Sequence, residues 1–353
     1  MTSEFRQDLV SGEWVLIASG RSRRPDAPEQ ERTIRERQDA VHCPFEDPQA
    51  TEHGNPLLVF NEGNRVSWEG RFSGPWTTQV IRNKYPALMP GTCGDPVPSG
   101  PFLVHPAHGF HELVIFRPHD RGLAQFSDAE LTELLTVYRE RYQAIAQDDC
   151  GDYISIFHNW GPRAGATMAH PHSQILSTPV VPPEVMGSIR GADAYFREHG
   201  STVHCRLIAW EVDQATRIIY EDDAFIAFCP YVSKTPYEVR IFPKQHSPNF
   251  EISDDAHIVD AAHVLGLVLR ALYDTLGDPD YNFYIHTAPV AKSSEVNYDF
   301  YHWHIEIVPR LSVAAGFELS TAIYINTTDP DDAAAHLREQ IRESHQPLVK
   351  AEG

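Results

Sequence analysis

The stretch Ala169-His170-Pro171-His172-Ser173-Gln174-Ile175-Leu176 sets two imidazoles one residue apart and then a carboxamide. In an extended segment alternate side chains share a face, so His170, His172 and Gln174 are expected to point the same way and to grip one small anionic group. Neutral imidazole is a nucleophile near neutral pH and a good metal ligand. The amide donates hydrogen bonds without adding charge. Just upstream, Asn159-Trp160-Gly161-Pro162-Arg163-Ala164-Gly165-Ala166-Thr167 is a Gly-containing loop rich in backbone donors, a type that often lines phosphate sites.

The elements that must position these groups occur twice. Glu112-Leu113-Val114-Ile115-Phe116 is echoed by Glu238-Val239-Arg240-Ile241-Phe242, each followed by Pro and His. A helix is expected after both. The first opens with a capping box, Ser127-x-x-Glu130, and carries Leu131, Leu134, Leu135, Tyr138, Tyr142 and Ile145 on one face. The second starts near Ser253, carries Ile258, Ala262, Leu265, Leu269, Leu272 and Leu276, and stops at Gly277 with Pro279 beyond. Asp152 to His158 then matches Asp280 to His286 as a strand, and His170-Pro171-His172-Ser173-Gln174 matches His302-Trp303-His304-Ile305-Glu306. Four matches in one order point to duplication. The expected fold is α+β, a duplicated unit with two antiparallel sheets, each with a packed helix. The division falls near residue 190, after the Pro-rich Thr178 to Pro183, giving units 1–190 and 191–353.

Outside the repeat, residues 8–19 read as a hairpin around Ser11-Gly12, and Asp329 to Glu343 as a charged helix. Arg21-Ser22-Arg23-Arg24-Pro25 is the densest basic cluster in the chain and reads as a phosphate clamp, because arginine meets phosphate oxygens in a bidentate fork.

At 353 residues the chain fits roughly two domains. Its formal charge of −20, from 29 basic against 49 acidic residues, argues against nucleic acid as a general partner. No apolar run reads as a membrane span and the N-terminus lacks the apolar core of a signal peptide, so the expected location is cytoplasmic. Five scattered cysteines (Cys43, Cys93, Cys150, Cys205, Cys229) without a Cys-x-x-Cys pair read as free thiols.

Taken together, the His-x-His-x-Gln strand with Asn159 thirteen residues before His172, Trp14-Val15-Leu16-Ile17 followed by Arg21-x-x-Arg24-Pro25, Asn83-Lys84-Tyr85-Pro86-Ala87-Leu88 and Pro243-Lys244-Gln245-His246 are specific. The chain resembles the galactose-1-phosphate uridylyltransferase family of the histidine-triad superfamily along nearly its whole length. Ser173, Gly316-Phe317-Glu318 and Pro179-Val180-Val181-Pro182-Pro183 are similar to its plant-type ADP-glucose phosphorylase branch.

The resemblance implies that His172 attacks the α-phosphorus of a nucleoside-diphosphate sugar to give a nucleotidyl-histidine, with Gln174 steadying phosphoryl oxygens. It casts Asn83 and Asn159 as nucleotide contacts, Thr167 as a phosphoryl or sugar phosphate contact, and Arg21 and Arg24 as clamps on the incoming phosphate. It implies zinc held by Cys43, Glu46, His170 and a later position that falls on Asp120, with His119 beside it. A second metal, iron or zinc, is implied at His286, His302 and His304, with Glu184 the nearest carboxylate. Cys205 and His246 instead resemble half of a different second site in the plant branch. Neither metal is expected to perform the chemistry. The partners implied are a nucleotide sugar and a sugar 1-phosphate, acting on a homodimer. UDP-glucose and hexose 1-phosphate are the first expectation for substrates, ADP-glucose and phosphate the second. A nucleotide-binding sensor without turnover is the third reading.

Overall fold

The computed structural model describes residues 3–23, 39–70, 75–148, 150–293 and 296–344. Its strands are β1 (Glu4–Gln7), β2 (Trp14–Ile17), β3 (Leu58–Asn61), β4 (Asn64–Arg65), β5 (Thr78–Arg82), β6 (Val97–Ser99), β7 (Phe102–Val104), β8 (Phe110–Phe116), β9 (Tyr153–Trp160), β10 (His172–Thr178), β11 (Ile218–Glu221), β12 (Phe225–Phe228), β13 (Val239–Pro243), β14 (Tyr281–His286), β15 (His304–Pro309) and β16 (Tyr324–Asn326). The helices are α1 (Asp128–Ile145), α2 (Pro183–His199), α3 (Val203–Gln214), α4 (Asp255–Leu276), α5 (Gly316–Thr321) and α6 (Pro330–Ser344).

Both repeats form as expected. The first sheet runs β4-β3-β5-β8-β10-β9 and the second β14-β15-β13-β12-β11. The two are joined edge to edge by antiparallel pairing of β9 with β14, Asn159 opposite Asn282 and Ile156 opposite Ile285, so that one eleven-stranded antiparallel sheet results. Joining them removes two exposed edges, where unpaired backbone groups would invite aggregation.

Local chemistry sets the helix ends. Ser127 Oγ accepts from Glu130 N–H while Glu130 Oε2 accepts from Ser127 N–H at 2.8 Å, the expected capping box of α1. Asp254 caps α4 and Gly277 ends it at φ 71°, a conformation that carries no Cβ penalty for glycine. Helices α1 and α4 pack together on one face of the sheet, where Leu131, Leu134, Tyr138, Leu265 and Leu272 share one core with Val114, Ile175 and Ile307. By length and composition α4 could cross a bilayer, which the sequence reading did not anticipate. In this fold it is the central core helix, with Leu265, Val268, Leu269 and Leu272 buried.

The opposite face of the sheet carries the candidate chemistry and is covered differently in each half. Over the first half, Cys43 and Phe45 pack on Ile81, Leu113 and Ile115. Over the second lie α2 and α3, which the sequence reading did not identify: Ile189 and Val203 pack with Val10 and Tyr301. The expected hairpin is β1–β2, with Gly12 at φ 76°, and β2 pairs in parallel with β16 of the second half. The C-terminal helix forms as α6, and residue 190 lies within α2.

One cysteine expectation is corrected. Cys93 and Cys150 form a disulfide across 57 residues, leaving Cys43, Cys205 and Cys229 free. The loop that carries Cys93 folds back on the entry to β9, a contact that no sequence spacing reveals. Between these ends β6 and β7 form a two-stranded arm whose Phe102 and Leu103 are exposed.

Candidate active site and metal centres

Strand β10 begins at His172, so His170 stands on the bend before it and the expected row of three is broken at its first member. His172 and Gln174 keep their common face. Ser173 and Ile175 turn to the helix side, where Tyr138 donates to Ser173 Oγ.

The His172 ring is buried, with Nδ1 3.0 Å from the carbonyl of His170. A carbonyl only accepts, so the proton is fixed on Nδ1 and Nε2 keeps its lone pair. Burial holds the His172 pKa below the usual imidazole value, which keeps the ring neutral at physiological pH. The edge of Phe45 lies against it at 5.2 Å between centroids.

Gln174 is half-buried, and its Oε1 lies 2.8 Å from His111 Nε2. His111 was not anticipated. It stands diagonally opposite on β8, and its Nδ1 accepts from Ala87 N–H at 3.1 Å. Asn83 closes this corner: its N–H donates to the His111 carbonyl, its Oδ1 accepts from Tyr85 N–H, and its Nδ2 lies 3.0 Å from His111 Nε2. The entry to β8 comes so near β10 that a Cβ on Gly109 would stand 2.0 Å from the Ser177 carbonyl oxygen, which requires glycine there.

Asn159 is at the end of β9, where its Oδ1 accepts from Asn282 Nδ2 at 2.7 Å. Thr167 is exposed on the loop that leads to His170. Arg21 is exposed on the turn after β2, on the small sheet that packs against Val232 of the second half. Arg24 lies outside the described residues.

The first candidate metal group brings together Cys43, His119 and His170, with Glu46 beside them. His170 donates from Nε2 to the Phe116 carbonyl at 2.6 Å, leaving Nδ1 unprotonated in the neutral ring, and burial lowers its pKa to about 4. That Nδ1 faces Cys43 Sγ at 3.5 Å, His119 Nδ1 at 3.0 Å and Glu46 Oε1 at 3.5 Å. Glu46 Oε1 is buried without a hydrogen bond. Four lone-pair donors converging in a small space fit a tetrahedral cation. Asp120 is corrected: it is exposed, and the turn after β8 directs its neighbour His119 inward instead.

The second set is corrected too. His286, His302 and His304 do not converge. His286 Nε2 bonds Glu306 at 2.7 Å, and His304 donates from Nδ1 to the His302 carbonyl at 3.1 Å. His302 Nδ1 turns the other way, to Cys205 Sγ at 3.7 Å, and Cys205 lies 3.5 Å from His246 Nδ1. These three can hold an ion together. Glu184 is paired with Lys234 at 2.7 Å. Beside it, a cavity of about 200 Å³ opens between the β1–β2 hairpin and the second half, lined by Lys234, Arg240, His286, His304 and Glu306. Arg240 bridges Glu238 and Glu306 at 3.2 and 3.3 Å, so fixed charges of both signs already fill this corner.

The family model for the galactose-1-phosphate uridyl transferase N-terminal domain matches residues 1–182, and a domain of unknown function, DUF4921, matches residues 127–351. An ADP-glucose phosphorylase of Arabidopsis thaliana is 34% identical over 95% of this chain and 92% of its own. A galactose-1-phosphate uridylyltransferase of Thermotoga maritima is 28% identical over 95% and 98%. The crystal structure of an Arabidopsis thaliana ADP-glucose phosphorylase with bound ADP-glucose superposes with a TM-score of 0.77 at 32% identity, covering 96% of this chain and 99% of that one. The neutral, singly protonated His172 on the duplicated sheet and these likenesses agree: the chain belongs to the galactose-1-phosphate uridylyltransferase family, with features of its plant-type ADP-glucose phosphorylase branch.

Proposed function

We propose that this nucleotidyltransferase works by double displacement through His172. The observation that carries the reading is the bond from His172 Nδ1 to the His170 carbonyl, because it leaves Nε2 as the attacking atom. In the first step Nε2 forms a bond to the α-phosphorus of a nucleoside-diphosphate hexose. The bond from that phosphorus to the bridging oxygen breaks, and hexose 1-phosphate leaves with the electron pair. The leaving phosphate is a weak base, so no strong general acid is needed. In the second step a phosphate oxygen of the acceptor attacks the same phosphorus and His172 departs neutral.

Gln174 and Asn159 donate to the phosphoryl oxygens, where charge is spread in the transition state. An amide at position 174 neither delivers a proton nor activates water, so the intermediate waits for its acceptor. Thr167, Arg21 and Arg24 are proposed to meet the incoming phosphate. Cys43, Glu46, His119 and His170 would hold zinc, as would Cys205, His246 and His302. Ions held by these residues would fix the bend before His172 and the root of β15.

The first expectation for donor and acceptor was UDP-glucose and a hexose 1-phosphate. The greater identity to an ADP-glucose phosphorylase weighs toward ADP-glucose and inorganic phosphate. The exposed apolar arm at Phe102 and Leu103 supports a homodimer. Intact-mass spectrometry after mixing with ADP-glucose or UDP-glucose tests the reading. An adenylyl or uridylyl mass increment on His172 identifies both chemistry and base; no increment with either donor overturns the covalent route.

A further inference from the structure

Two carboxamides border the proposed phosphoryl position, and the oxygen of each is already spoken for. Ala87 N–H can only donate, so its bond to His111 Nδ1 leaves the proton of the neutral ring on Nε2, where Gln174 Oε1 is the one acceptor and the nearby Asn83 Nδ2, itself a donor, makes no bond. On the other side Arg310, also donor-only, gives its Nε–H to Asn282 Oδ1. Asn282 must then present its nitrogen elsewhere, and its two hydrogens reach Asn159 Oδ1 at 2.7 Å and the Ala164 carbonyl at 2.8 Å. Arg310 is held in turn by the Tyr284 hydroxyl at 2.9 Å, and Asn282 is buried. Each relay starts at a group that cannot accept and ends on an amide oxygen.

We infer that His111 and the Arg310–Asn282 pair are positioning residues that lock Gln174 and Asn159 with oxygen inward and nitrogen outward, making an all-donor cradle for phosphoryl oxygens. An amide left to itself offers oxygen and nitrogen almost equally, and an oxygen turned toward a phosphate repels it. The relays remove that choice. They also use both halves of the molecule, since Asn282 and Arg310 come from the second repeat and act on β9 of the first. The inference rests on the nucleotidyl-transfer reading for its mechanism, but the anion cradle is measurable without turnover.

The experiment is a pair of double-mutant cycles on the full-length, metal-loaded protein. It reads two quantities: the dissociation constant for adenosine or uridine monophosphate by calorimetry, and the rate of adduct formation on His172. His111→Phe should weaken binding and slow adduct formation by about tenfold, yet by less than about twofold when Gln174→Ala is already present. Arg310→Met should do the same alone and be nearly silent in Asn159→Ala. His111→Gln and Arg310→Lys, which keep a donor, should recover most of the loss; a merely structural role would not give this pattern. The inference is overturned if the single variants change neither quantity, or if they lose the same factor once the amide is gone. Should the wild type bind the monophosphates and follow the cycles without forming an adduct, the covalent reading fails and the relays stand.

Discussion

His172 and His304 hold the same proton by the same device: each donates from Nδ1 to the carbonyl two residues earlier, at 3.0 and 3.1 Å. The duplication therefore extends to a tautomer. What separates the halves is the next residue on the same face. Gln174 is neutral and meets His111, whereas Glu306 is tied to Arg240 and His286. An anionic substrate beside Glu306 would face a carboxylate, so only the first half is suited to phosphoryl transfer. His172→Gly is expected to abolish the nucleotidyl adduct. His304→Ala should still form it, within about threefold of the wild-type rate, while losing roughly 2–4 kcal/mol of stability from the buried site. Adduct mass and chemical denaturation measure both.

The candidate metal groups are also related by the repeat. Cys43, His119 and His170 precede β10 as Cys205, His246 and His302 precede β15. Glu46→Gln removes a charged ligand only from the first. Elemental analysis is expected to fall from about two ions per chain to about one, with a lower melting temperature. Asp120→Asn should change neither, because that side chain is exposed. An unchanged ion count for Glu46→Gln would remove the carboxylate from the ligand set.

The Cys93–Cys150 bridge closes a loop of 57 residues and ties the exposed arm to the entry of β9. Closing a loop that long restricts the unfolded chain by an amount worth roughly 4 kcal/mol. Cys150→Ser, or a dithiol reductant, is expected to lower unfolding stability by up to that amount, read as the denaturant midpoint under oxidising and reducing conditions. Equal midpoints would mean that the bridge adds nothing.

Much of this was written locally in the chain. Ser127, Glu130 and Gly277 mark helix ends by their own backbone chemistry, and the repeated His-x-His segments mark which strands of the two halves correspond. What lay beyond reach was set by contacts at long separation. His111 reaches Gln174 across 63 residues with no spacing to announce it. His119 and Asp120 are neighbours, and only the path of the turn after β8 decides which faces inward. Likewise His302 and His304 share a strand pattern, yet the bend at β15 sends their Nδ1 atoms to different partners. The union of the two sheets through β9 and β14 had no local signature, because either edge alone reads as an ordinary strand.

Buried imidazoles make both stability and reaction depend on pH in a definite direction. Burial pushes His158 down to about 3, and lowers His204 and His304 well below the usual value. These rings are neutral in the folded protein, whereas in the unfolded chain they take up protons near pH 6.5. Above that pH neither state binds the proton and the stability is fully present. As pH falls below 6.5 the unfolded state gains protons that the folded one refuses, so stability is lost at about 1.4 kcal/mol per pH unit for each such group until its folded pKa is reached. The contribution of these rings to the melting temperature should be flat from pH 8 to 7 and decline below 6.5. His158→Phe, which keeps a ring against Phe283, should make that decline shallower. The same direction governs His172: with its pKa held down by burial, adduct formation should keep its rate through pH 6.5 and fall only at lower pH. An acid limb centred above 6.5 would mean that His172 is more exposed to water than its place behind Phe45 allows.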